Sequence, residues 1–193
     1  MKNILKIILI LLFVNCKAQT QTVVNINTYN SGNNSNKYFK DINNNYANFV
    51  GTWENTTGNI TFRLIIWEET KNVLANEVNS SMDELKGSYK IIQNEGTSSE
   101  VILYNSVKYF SQSNYTPTWS LLGDAMNSTI AGGYFEDTCA NAGTGILSGG
   151  FKIEIINLGT TPIQANWLIK SSRNLFPGES FTVPTDAVLT KVN

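Results

Sequence analysis

The chain has 193 residues, of which 15% are charged, and a formal net charge of -1. A balance so close to zero provides no basic surface for nucleic acid, so none is expected as a partner. There is no histidine, which removes the usual general base, the usual transition-metal ligand and the usual switch near neutral pH.

The first stretch reads as a leader. Lys2 and Lys6 give it a positive start, and Ile4 to Val14 is an almost unbroken apolar run, short for a bilayer span and followed at once by polar residues. Residues 1–15 therefore read as a signal peptide. The cut site has two readings. Leu12-Phe13-Val14-Asn15-Cys16 resembles a lipobox, in which cleavage precedes a cysteine that becomes lipid-modified. Alternatively, Cys16-Lys17-Ala18 offers small residues at conventional signal-peptidase spacing, with cleavage after Ala18 or Gln19 and release of a soluble, secreted protein. Lipidation of Cys16 is favoured. It predicts a cell-envelope lipoprotein of the outer membrane, facing the periplasm and partnered with the membrane through its anchor.

Residues 16–36 are rich in Gln, Thr, Asn and Ser and read as a flexible tether. Residues 37–193 read as one domain, large enough to bury a core. Phe39, Ile42, Tyr46 and Phe49 recur at helical spacing, which predicts a short N-terminal helix over 35–48. Phe49-Val50-Gly51-Thr52-Trp53-Glu54 opens the first strand of the domain, with Phe49, Gly51 and Trp53 on one face. The loop Asn55 to Asn59 and the run Ile60 to Glu69 complete a hairpin, and Ile60, Phe62, Leu64 and Ile66 form its core face. Further strands are expected over Leu85–Gln93, Val101–Tyr104, Gly132–Glu136, Gly145–Leu147, Phe151–Ile155, Ala165–Ile169 and Val183–Val192. Tyr104 to Trp119 reads as irregular. About eight strands at this spacing predict an all-β domain, either an antiparallel barrel or a β-sandwich.

Phe49-Val50-Gly51-Thr52-Trp53 resembles the Gly-x-Trp opening of lipocalin-like barrels. With Met82 to Tyr89 and the tail Val183 to Lys191, the chain is similar to short Bacteroidota envelope proteins from families of unknown function. The resemblance implies a barrel closed around Trp53, with Gly51 and Trp53 as its structural signature. It also implies a basic residue late in the chain against that ring, Arg173 being the only late arginine, and a small apolar ligand. A solid barrel that offers only its surface, as a structural or protein-interaction lipoprotein, is the alternative.

Little in the chain points to an enzyme. Cys139 lacks a histidine to activate it and reads as structural. Asp83-Glu84 and Glu136-Asp137 are paired acids that read as solvated loop ends rather than calcium or acid–base sites. Gly132-Gly133 and Gly149-Gly150 read as bulges or tight turns. The aromatics Tyr104, Tyr109, Tyr115, Trp119 and Tyr134 read as core before they read as a binding rim. No catalytic residue, metal or cofactor is expected.

Overall fold

The computed structural model, which describes residues 20–30, 32–107, 119–140 and 145–192, is all-β. Among the described residues, eleven strands make one sheet: β1 Thr22–Asn25, β2 Lys37–Lys40, β3 Gly51–Thr57, β4 Ile60–Val73, β5 Ser81–Gln93, β6 Val101–Asn105, β7 Leu121–Ala125, β8 Ile130–Asp137, β9 Leu147–Ile155, β10 Gln164–Ser171 and β11 Asp186–Lys191. Eight of them, β3 to β5 and β7 to β11, close into an antiparallel barrel. Two seams close the ring. β11 pairs with β3 through Thr190↔Glu54 and Lys191↔Trp53, and β7 pairs with β5 through Leu85↔Gly123 to Gly87↔Leu121.

β5 organises the rest. One edge is covered along its length by β4. The other is shared in sequence by three partners: β2 at Ser81 and Met82, β7 at Leu85 to Gly87, and β6 at Lys90 to Gln93. β4 and β5 thus run past the barrel at the end where β3 begins, called here the lower end. There they carry β2 and, beyond it, β1 as added parallel strands.

Alternation decides what faces inward, as expected for strands with one buried side. On β9, Phe151, Ile153 and Ile155 are buried between partly exposed Lys152 and Glu154; on β10, Ala165, Trp167 and Ile169 repeat the pattern. The middle of the barrel is aromatic. The Trp167 ring lies 6.0 Å from Phe62, 5.6 Å from Phe135 and 5.8 Å from Phe151, centroid to centroid, and Tyr89 extends the cluster from Phe135. Glycines make room for it. A Cβ at Gly123 would stand 2.5 Å from Cζ of Phe151, so the ring fits the inner wall only because that side chain is missing. Gly132-Gly133 and Gly149-Gly150 are likewise paired residues inside β8 and β9, not bulges or turns. At Gly133 and Gly149 a side chain would collide with the carbonyls of Leu122 and Lys170.

Several expectations need correction. No helix forms over 35–48. Lys37–Lys40 is a strand, Ile42 is 55% exposed, and only Tyr46–Asn48 makes a single 3₁₀ turn. The side chains explain this: the Asp41 carboxylate accepts from the Tyr46 amide at 2.7 Å, and Asn44 sits at φ 55°, local arrangements that compete with helix. Residues 22–26 are not flexible tether, because β1 pairs with β2 and Ile26 is buried. The first hairpin turns on Gly58-Asn59 alone, with Thr57 paired to Ile60 and Gly58 at φ 62°. Leu147 and Phe151 belong to one strand, and β7 was not expected at all.

Candidate functional site

At the lower end, Trp53 is fully buried and its indole N–H donates to the Phe49 carbonyl at 2.7 Å. Tyr46 and Phe49, delivered by the 3₁₀ turn before β3, are also fully buried. Gly51, at φ 132°, adopts backbone geometry that side chains disfavour. The ammonium of Lys191, on β11, stands 5.6 Å from the Trp53 ring centroid and donates to the Asn48 carbonyl at 2.9 Å. Burial lowers its pKa. Arg173 lies elsewhere, in an exposed double contact with Glu179 at 2.6 and 2.8 Å and over the Phe176 ring.

Beside this plug lies a knot of carboxylates and phenols. Asp83, buried on β5, accepts from the Tyr38 hydroxyl at 2.6 Å and from the amides of Asp41 and Lys71 at 3.0 Å. Tyr46 donates to Asp124 at 2.6 Å. Burial pushes the Asp124 carboxyl up, against the lowering effect of the Tyr46 bond. The phenols of Tyr38 and Tyr46 are raised, by burial first and then by their carboxylate partners. These bonds tie β2, the 3₁₀ turn, β5 and β7 together.

The upper end is closed by the β10–β11 loop. Asp137, fully buried on β8, accepts from the Tyr89 hydroxyl, from the Thr182 amide at 2.6 Å and from the Cys139 amide at 3.0 Å. The Thr182 hydroxyl adds a bond at 2.9 Å, and the indole of Trp167 donates to the Pro184 carbonyl at 2.8 Å. The loop is thus pinned at two points over the aromatic stack. Burial raises the Cys139 thiol, so it is held as the poorly nucleophilic thiol at neutral pH.

The acid pairs are therefore not solvated loop ends. Asp83 and Asp137 are hubs of buried networks at opposite ends of the barrel, Glu84 lies 3.5 Å from Lys86, and Glu136 is buried. Among the described residues, no group of three or more acid or thiol side chains is placed to hold a metal ion. Tyr104 packs against the core, Trp119 is half-buried and Tyr134 is exposed, while Tyr109 and Tyr115 lie outside the described residues, as does Cys16.

A family model covers residues 1–192. The chain belongs to DUF6705, a family of unknown function. No curated protein and no solved structure matches it. In this DUF6705 chain, two cavities lined by described residues both lie outside the barrel wall. One, of about 570 Å³, sits at the lower end between β1 and the β4–β5 hairpin; the other, of about 360 Å³, sits at the upper hairpin tips. Spacing does not foretell either network, because each joins residues more than 35 apart in sequence.

Proposed function

We propose that this protein is a lipid-anchored envelope lipoprotein that works through its surface, as a non-enzymatic interaction or structural module on a solid, lipocalin-like barrel. One observation carries the choice between a filled barrel and a ligand-holding one. The Phe62, Trp167, Phe151, Phe135 and Tyr89 rings occupy the barrel's middle in mutual contact, under a loop pinned by Asp137 and Trp167. An eight-stranded barrel has room for packed side chains or for one small ligand, and this aromatic cluster supports the packed reading. Support for the lipocalin-like reading comes from Trp53 and Lys191: a late basic residue against the indole is what the resemblance implies, and Lys191 supplies it. Support for the anchor is the apolar leader ending at Cys16.

Two measurements test this. Metabolic labelling with an alkyne palmitate should mark the wild type and not Cys16→Ser; an unlabelled wild type released into the medium overturns the anchor. Mass spectrometry of natively extracted protein, with titration of an environment-sensitive apolar dye, should find neither co-purified lipid nor saturable binding. A stoichiometric apolar molecule displaced by the dye would overturn the solid barrel in favour of a small apolar ligand.

A further inference from the structure

We infer that the lower end of the barrel, at β1 and the β4–β5 hairpin, lies directly on the bilayer surface. This rests on the proposed lipidation of Cys16. Residues 16–36, fully extended, would reach about 70 Å and let the domain roam. The folded body starts much earlier. Gln21 donates to the Asn79 carbonyl at 3.1 Å, the Thr22 amide donates to the Asn36 carbonyl at 2.8 Å, and β1 is paired throughout. Four peptide steps separate Cys16 from Thr20, so even fully extended they span only about 14 Å.

The surface within that reach suits a membrane. Thr20 lines the lower cavity together with Val23, Lys71, Val73 and Asn79. Val73, Val78 and Val23 are 82%, 69% and 54% exposed. The Val78 carbonyl accepts from Asn36 at 2.9 Å, which ties the hairpin tip to the N-terminal strands. Lys40 and Lys71 are exposed on the same strands, and Lys37 is partly so. Their acidic neighbours are exposed Glu68, Glu69, which pairs with Lys86 at 2.7 Å, Glu77, which holds the Asn34 amide at 3.2 Å, and Asp41 and Asp83, which are buried beneath them. Valines among lysines beside a lipid-bearing residue match an interface in which apolar side chains enter the headgroup layer and ammonium groups meet phosphates. The far end cannot reach it: β4 alone spans about 45 Å, several times the length of the link. The loop bearing Leu175 and exposed Phe176 then faces away from the membrane.

The test uses the full-length, lipidated protein in a Cys139→Ser background, reconstituted in phosphatidylethanolamine–phosphatidylglycerol vesicles. A polarity-sensitive fluorophore is placed by Val73→Cys or, as a far-end control, by Ser98→Cys in the exposed β5–β6 turn. Both proteins should float with the vesicles. The label at 73 should be blue-shifted, quenched by spin-labelled lipid and several-fold less quenched by aqueous iodide than the label at 98. Flotation with equal iodide quenching at both positions overturns the docking and leaves the anchor standing. Failure to float overturns the anchor and this inference together.

Discussion

Replacing Asp137 with alanine should come close to unfolding the barrel. The carboxylate is fully buried and receives bonds from the Tyr89 hydroxyl, the Thr182 amide and hydroxyl, and the Cys139 amide. Removing it leaves those donors facing a vacancy. A buried donor stripped of its partner costs about 1–3 kcal/mol. Tyr89 is deeply buried, whereas Thr182 and Cys139 are partly exposed and regain some water, so the lower part of that range applies to them. With four donors the sum is about 4–6 kcal/mol, a large share of the roughly 5–15 kcal/mol that holds a domain together. Urea melts of the unlipidated mature protein, followed by tryptophan fluorescence, should show a falling midpoint at constant slope, since the change is in stability rather than in exposed area. Tyr89→Phe removes one donor and leaves the carboxylate its other bonds, so it should cost about 1–2 kcal/mol. The two changes should be less than additive, because they share a bond. An Asp137→Ala protein within about 1 kcal/mol of wild type would refute the hub, since that is the loss expected for one ordinary hydrogen bond.

Other outcomes follow from the same contacts. Gly149→Ala must push a Cβ into the Lys170 carbonyl and should cost at least about 2 kcal/mol, whereas Gly150→Ala, with its nearest neighbour 3.7 Å away, should be neutral; equal melts would refute the close packing of β9 on β10. Lys191→Met keeps apolar cover on Trp53 but loses the cation–ring contact and the bond to Asn48, so the melt should fall by about 1–2 kcal/mol; an unchanged melt would remove Lys191 from the plug. Because burial lifts the Asp124 carboxyl, the folded state keeps that proton to higher pH than the unfolded chain. Its stabilising contribution is complete below the unfolded carboxylate value near about pH 4 and is lost as pH rises through the raised native value, so Asp124→Asn should gain on wild type across that window; parallel pH profiles would refute the shift. The phenols of Tyr38, Tyr46 and Tyr89 are all raised, so their stabilisation is present below the ordinary tyrosine range and lost above it. Absorbance at alkaline pH should show these phenols ionising only as the protein unfolds, and smooth early titration of all tyrosines would contradict their burial.

Period-two alternation alone was enough to place β4, β9 and β10 and to choose their inner faces, because a strand with one dry side must put its apolar residues at every second position. The same rule put Trp53 in the core, although Phe49, expected on the same strand face, reaches it from the 3₁₀ turn before β3. Composition, through the missing histidines, limited the chemistry. What alternation cannot carry is pairing between distant segments. β7 is five residues long with a glycine at its centre and has no pattern of its own, yet it closes the barrel because β5 offers it an edge. Phe39 and Tyr46 sit at helical spacing, but the Asp41 amide goes to the Asp83 carboxylate, 42 residues away, and the Tyr46 amide to the Asp41 carboxylate, so these donors are not left for a helix. Asp137 looks like half of a surface acid pair until strand closure and the β10–β11 loop bring Tyr89 and Thr182 to it. Lys191, not Arg173, meets Trp53 because β11 is the strand that pairs with β3. The sequence by itself determined the strands with a clear two-residue repeat and their dry faces, which are local consequences of that repeat; only the closed barrel decided where β1, β2 and β7 form and which polar groups met inside it, since those meetings depend on long-range register.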